Sequence, residues 1–143
     1  MRLIPRSYFI VSFTVPILFL CSGCGEPTVC KVSGTVKVGG KPVSGITVNF
    51  VPADGRSSWG LTDSEGRYKL HHARDQEGAL RGTHKVSFSY RPSTPVEELE
   101  FREGKAALAP EVKTLLEKYG DPSSTTLTYE VTKNGQVIDI NLD

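Results

Sequence analysis

Asp63-Ser64-Glu65-Gly66 sets two carboxylates two residues apart before a glycine, a spacing that calcium loops also use. The other oxygen ligands and the closing Glu of an EF-hand loop are missing, so turn chemistry is the expected role. Asp63 can accept hydrogen bonds from backbone N–H groups two or three residues on, and Gly66 can take the positive φ that closes such a turn. His71, His72 and His84 are the only histidines. Neighbours on a strand point to opposite faces, so His71 and His72 do not share a metal, and no strong ligand spacing such as C-x₂-C is present. All three read as solvated or partly packed. Ser and Asp are plentiful, but no G-x-S-x-G elbow occurs. Cys30 reads as a small, half-buried apolar residue at a strand start. Trp59, the single tryptophan, follows Gly55-Arg56-Ser57-Ser58 at a loop-to-strand junction. With Tyr68 and Tyr90 it could make an aromatic platform for sugar; core packing is the leading expectation for all three rings. The alternative is a carbohydrate or peptide site built on Trp59, Arg56 and the adjacent loops. No catalytic residue, metal or cofactor is expected.

The first 23 residues point to export. Arg2 and Arg6 precede an apolar run from Ser7 to Leu20 of about 14 residues, the layout of a secretory signal. A permanent span needs roughly 20 apolar residues, and Pro16 interrupts this run. Leu20-Cys21-Ser22-Gly23-Cys24 resembles a bacterial lipobox, with Cys21 standing where Leu is most usual. Cys24 is therefore the expected lipidation site and the new N-terminus. Cleavage there removes Cys21 and leaves Cys30 as the one free thiol, so no intramolecular disulfide is expected. The chain carries 17 Lys and Arg against 16 Asp and Glu; loss of Arg2 and Arg6 makes the mature protein slightly acidic. Such a balance gives no drive towards nucleic acid, whose binding needs a basic surface. The expected partner is a membrane, through the lipid on Cys24, with envelope proteins or polysaccharide beyond it.

Residues 24–28 are a short tether, and 29–143 read as one domain. Strand patterns alternate through 32–38, 46–50, 84–90, 127–131 and 137–142. Gly60 to Leu70 reads as a hairpin turning at Asp63–Gly66, with Tyr68 and Leu70 inward. The stretch of about 96–126 breaks the rhythm. Pro110 suits a first helical position, Val112, Leu115, Leu116 and Tyr119 recur at helical spacing, and Gly120 suits the position after the helix. One helix in a long insertion is expected there. Asn134-Gly135 is a strong hairpin signal and predicts that the last two strands pair with each other. About seven strands with one apolar face each predict an all-β, antiparallel sandwich.

Four stretches carry a family resemblance: Val32-Ser33-Gly34-Thr35-Val36, Gly40 to Val48, Thr62 to Tyr68, and Gly82-Thr83-His84-Lys85-Val86. In order and spacing they resemble the carboxypeptidase regulatory-like domain. The stretch from Glu117 to Leu127 is similar to the ending of small planctomycete lipoproteins that carry it. The resemblance implies a seven-stranded transthyretin or prealbumin-like sandwich, with the helical insertion before the last two strands. It also implies a mostly non-catalytic role. Hydroxyisourate hydrolase shares that fold, but its C-terminal Tyr-Arg-Gly-Ser has no counterpart in Asp139-Ile140-Asn141-Leu142-Asp143. The expectation is a non-enzymatic, lipid-anchored envelope protein, periplasmic or at the cell surface, with a structural or binding module.

Overall fold

The computed structural model describes residues 28–143. Residues 1–27, on which the expected signal segment, Cys24 and most of the expected tether fall, lie outside the described residues. In chain order the elements are β1 (Val29–Cys30), β2 (Val32–Val38), β3 (Lys41–Pro42), β4 (Ile46–Pro52), β5 (Ser58–Leu61), β6 (Arg67–Lys69), β7 (His71–Ala73), β8 (Gln76–Glu77), β9 (Ala79–Leu80), β10 (Gly82–Tyr90), α1 (Pro95–Arg102), α2 (Pro110–Tyr119), β11 (Thr128–Val131), β12 (Gln136–Val137) and β13 (Ile140–Leu142). The protein is mostly β, with antiparallel sheets and two short helices.

One sheet has the order β11-β10-β4-β5-β7-β8 and is antiparallel throughout. Its spine is the β4–β10 pair, in register from Ile46 opposite Tyr90 to Pro52 opposite His84. The second sheet is built around β2, which takes β3 and β6 antiparallel and β12 and β13 parallel. A two-stranded ribbon, β1–β9, completes the pairing. Strand alternation sends Val32 and Val36, Ile46, Val48 and Phe50, Tyr68 and Leu70, and Val86 and Phe88 into one shared apolar cluster with Ile138, Ile140 and Leu142. Each such burial is worth roughly 1.5–3 kcal/mol, so the inward parity of the strands is strongly specified.

Several expectations are corrected. The chain around Asp63–Gly66 does turn, and Gly66 has φ +72°. The strands it joins, however, belong to different sheets: β5 pairs with β4 and β7, and β6 pairs with β2. Residues 67–73 form one run that changes sheets at Leu70, whose N–H donates to the Val32 carbonyl. Such switches explain why seven expected strands become thirteen segments among the described residues. Asn134-Gly135 also turns the chain, with Gly135 at φ +74°. It does not make a hairpin, because Asn134 Oδ1 accepts from the Lys31 N–H and draws the following residues alongside β2. There they lie parallel, so the pairing is not wholly antiparallel.

The insertion holds two helices, not one. Thr94 caps α1, its hydroxyl accepting from Glu97 N–H, while Glu97 accepts from Ser93 N–H. Helix α1 buries no side chain. Helix α2 starts at Pro110 and buries Val112 and Leu115 in the main core. Gly120 is its C-cap, in right-handed conformation, and not the residue beyond the cap.

Candidate functional site

The odd-numbered residues of β2, β5 and the 67–73 run, with those of the C-terminal segment, point away from the core. They line a groove of about 740 Å³ on the outer surface. Ser33 and Thr35 come from β2, Trp59 and Leu61 from β5, Arg67, Lys69 and His71 from the run that switches sheets, and Val137 and Asp139 from the C-terminal segment. The β2–β6 pairing and the passage of 67–73 from one sheet to the other bring these side chains together.

Trp59 is central. It is 46% exposed, and Leu61 and Val137 beside it are 57% and 65% exposed. His71 lies opposite Trp59 across the β5–β7 pair, with ring centroids 5.4 Å apart. A cross-strand ring pair of this kind restrains the indole while leaving part of its surface open. Trp59 and Leu61 also border a second groove of about 480 Å³, lined by Thr47, Asn49, Ser89, Tyr90 and Arg91. The indole therefore stands on a divide between two depressions.

Two polar clusters line the same groove as the indole. Asp63 Oδ1 accepts from the N–H groups of Glu65 and Arg67, both at 2.9 Å, and Oδ2 accepts from Arg67 Nε at 3.1 Å. The Arg67 backbone N–H is the largest of several influences that hold the Asp63 carboxyl below its ordinary range. The Asp63 bond in turn raises Arg67, whose guanidinium also meets Glu65. In the second cluster Asp139 Oδ1 accepts from the Thr35 N–H and hydroxyl, each at 2.9 Å. Its Oδ2 has no hydrogen-bond partner among the described residues. Lys69 makes no ion pair with them either.

The three aromatic residues considered for a platform separate. Trp59 is exposed, against the leading expectation that it packs in the core, because its odd position on β5 faces outward. Tyr68 is buried beneath the groove; its hydroxyl donates to the Ile138 carbonyl at 2.8 Å, and burial pushes its pKa well up. Tyr90 borders the second groove and packs on Phe101 at 5.2 Å. Arg56 lies in an exposed turn and lines neither groove. Leu61, Lys69, Val137 and Asp139 carry no site signal of their own in the sequence, and His71 reads there only as a solvated or partly packed residue. Their common odd parity with Trp59 was visible, but which strands lie side by side was not.

The remaining candidates fall elsewhere. Ser58 Oγ and His72 Nδ1 lie 3.2 Å apart, but Ser58 is fully buried and no carboxylate bonds to His72 among the described residues. His84 was expected to be solvated or partly packed and is instead fully buried, because its position on β10 faces inward. Its Nε2 donates to the Leu80 carbonyl at 2.7 Å, and its ring lies against Phe50. Cys30 is a free, buried thiol. No three His, Cys, Asp or Glu residues cluster at metal-binding distance among the described residues. Comparison with family models, with curated proteins and with solved structures finds no match.

Proposed function

We propose that this chain is a non-enzymatic, lipid-anchored envelope protein whose transthyretin-like sandwich serves as a binding module. Arg2, Arg6, the apolar run and Ser22-Gly23-Cys24 support the anchor. The observation that carries the binding role is the exposed Trp59 on the divide between two grooves. Large aromatic residues in concave, partly apolar surroundings are the usual anchors of recognition sites. The chemistry available around Trp59 is stacking and hydrogen bonding, which suits a carbohydrate or a peptide. A structural role within the envelope is the second reading.

Two measurements test this function. Cells treated with globomycin accumulate a heavier precursor, and Cys24→Ala abolishes incorporation of labelled palmitate; undisturbed processing or labelling defeats the anchor. The emission of Trp59 is expected to respond to envelope polysaccharide or peptide. Silence to every class defeats the binding role.

A further inference from the structure

We propose that the outer groove receives a neutral glycan chain, with Trp59 as the stacking platform and Asp139 and Lys69 as the groups that take its hydroxyls. The inference rests on the binding role above and specifies its ligand. Three observations carry it. The first is charge balance: the four charged side chains that line the groove cancel in pairs, Asp63 against Arg67 and Asp139 against Lys69, while Glu65, which also meets Arg67, lies outside the lining. Such a groove offers no net field to steer a polyanion or a polycation. Its ligand must present donors, acceptors and an apolar face without net charge. A pyranose does so, with C–H groups on its faces and hydroxyls around its rim.

The second is preorganisation. Thr35 fixes Asp139 Oδ1 by two bonds and leaves Oδ2 to accept from a ligand hydroxyl. Neither the carboxylate nor Lys69 has to break an ion pair to engage one, so little ordering cost opposes binding. The third concerns the floor. β2 is paired on both sides, by β6 and by β12 and β13. At its centre the floor therefore offers no open strand edge to which an extended peptide could add, one of the main routes of peptide recognition. Beyond Trp59 the second groove presents Asn49, whose amide donates to Ser89 Oγ at 3.1 Å, together with Thr47. A chain of several sugars can cross the indole and occupy both depressions.

The test uses the full-length lipidated protein in detergent. Trp59 is its only tryptophan, so emission excited beyond the tyrosine absorption band reports on this site alone. The probes are neutral di- and hexasaccharides of glucose, mannose, xylose and galactose, with oligogalacturonate and neutral peptides as contrasts. At least one neutral hexasaccharide is expected to shift the emission, to bind more tightly than its disaccharide, and to hold its affinity from ~50 to ~500 mM salt. By calorimetry Trp59→Ala lowers that affinity at least ~10-fold and Asp139→Asn lowers it by about the same, while Trp59→Phe retains most of it. Circular dichroism melts confirm that each variant is folded. A response to oligogalacturonate alone, lost in salt, overturns the neutral-glycan assignment, as does neutral binding indifferent to Trp59→Ala. A response to peptides alone overturns the glycan and leaves the binding role standing. Silence to all probes overturns both.

Discussion

Asp63 and Gly66 divide the work of one turn between charge and backbone shape. The Asp63 carboxylate gathers two N–H groups and the Arg67 guanidinium. Gly66 supplies φ +72°, and a Cβ there would sit 2.6 Å from the Val36 carbonyl oxygen. Gly66→Val therefore adds backbone strain to a clash with backbone, and is expected to cost at least about 2 kcal/mol. A melt of that variant within a degree of the parent would show that the turn is not a fold determinant. Asp63 makes a separate, pH-dependent contribution. Its folded carboxyl titrates below the ordinary value of 3.8. The stability it adds is thus fully present above that ordinary value and is lost as pH falls through the lower folded one. Asp63→Asn keeps an acceptor for the two N–H groups and removes only the charge. The gap in melting temperature between parent and Asp63→Asn is expected to be constant from about pH 7 to 5 and to narrow below about pH 4. A gap that widens in acid contradicts the assignment.

The helices show which features local chemistry determines. α1 was legible as a capping box, Thr94-Pro95-Val96-Glu97, with Pro at the first helical position. The sequence nonetheless points to only one helix in 96–126, because Pro92 and Pro95 equally suit the end of the strand before them. With no buried side chain, α1 depends on its cap for much of its order. Thr94→Ala is expected to raise amide hydrogen exchange across 95–102 severalfold while leaving the global melt almost unchanged. A global loss of stability would mean that α1 is packed against the core after all. α2 was legible from the spacing of Val112, Leu115, Leu116 and Tyr119, because those residues do face the apolar cluster. The turns at Asp63–Gly66 and Asn134-Gly135 were equally legible as turns. Their strand partners were not, since Asn134 is captured by Lys31, 103 positions away. No short-range signal encodes that contact.

At the scale of the whole molecule, inward and outward parity was readable and adjacency was not. Val36, Phe50, Phe88 and Ile140 declare their inward face by alternation alone. The groove depends instead on β2 accepting β6 on one side and a parallel C-terminal segment on the other, a choice made by packing over the full chain. The same packing decides whether the 96–126 insertion is an appendage. Leu115 is fully buried with the residues of both sheets, and Lys41 Nζ meets Glu111 of α2 at 3.0 Å. Leu99 of α1, by contrast, is 55% exposed. If α2 closes the core, Leu115→Ala removes atoms that the sheets cannot replace and costs about 2–4 kcal/mol. Leu99→Ala stays within about 0.5 kcal/mol of the parent. Urea titration read by far-UV dichroism separates the two. The expected result is one cooperative transition whose midpoint falls sharply for Leu115→Ala and hardly for Leu99→Ala. A second, earlier transition in the parent protein would instead make α2 a separately folding attachment. The apolar cluster would then close without Val112 and Leu115.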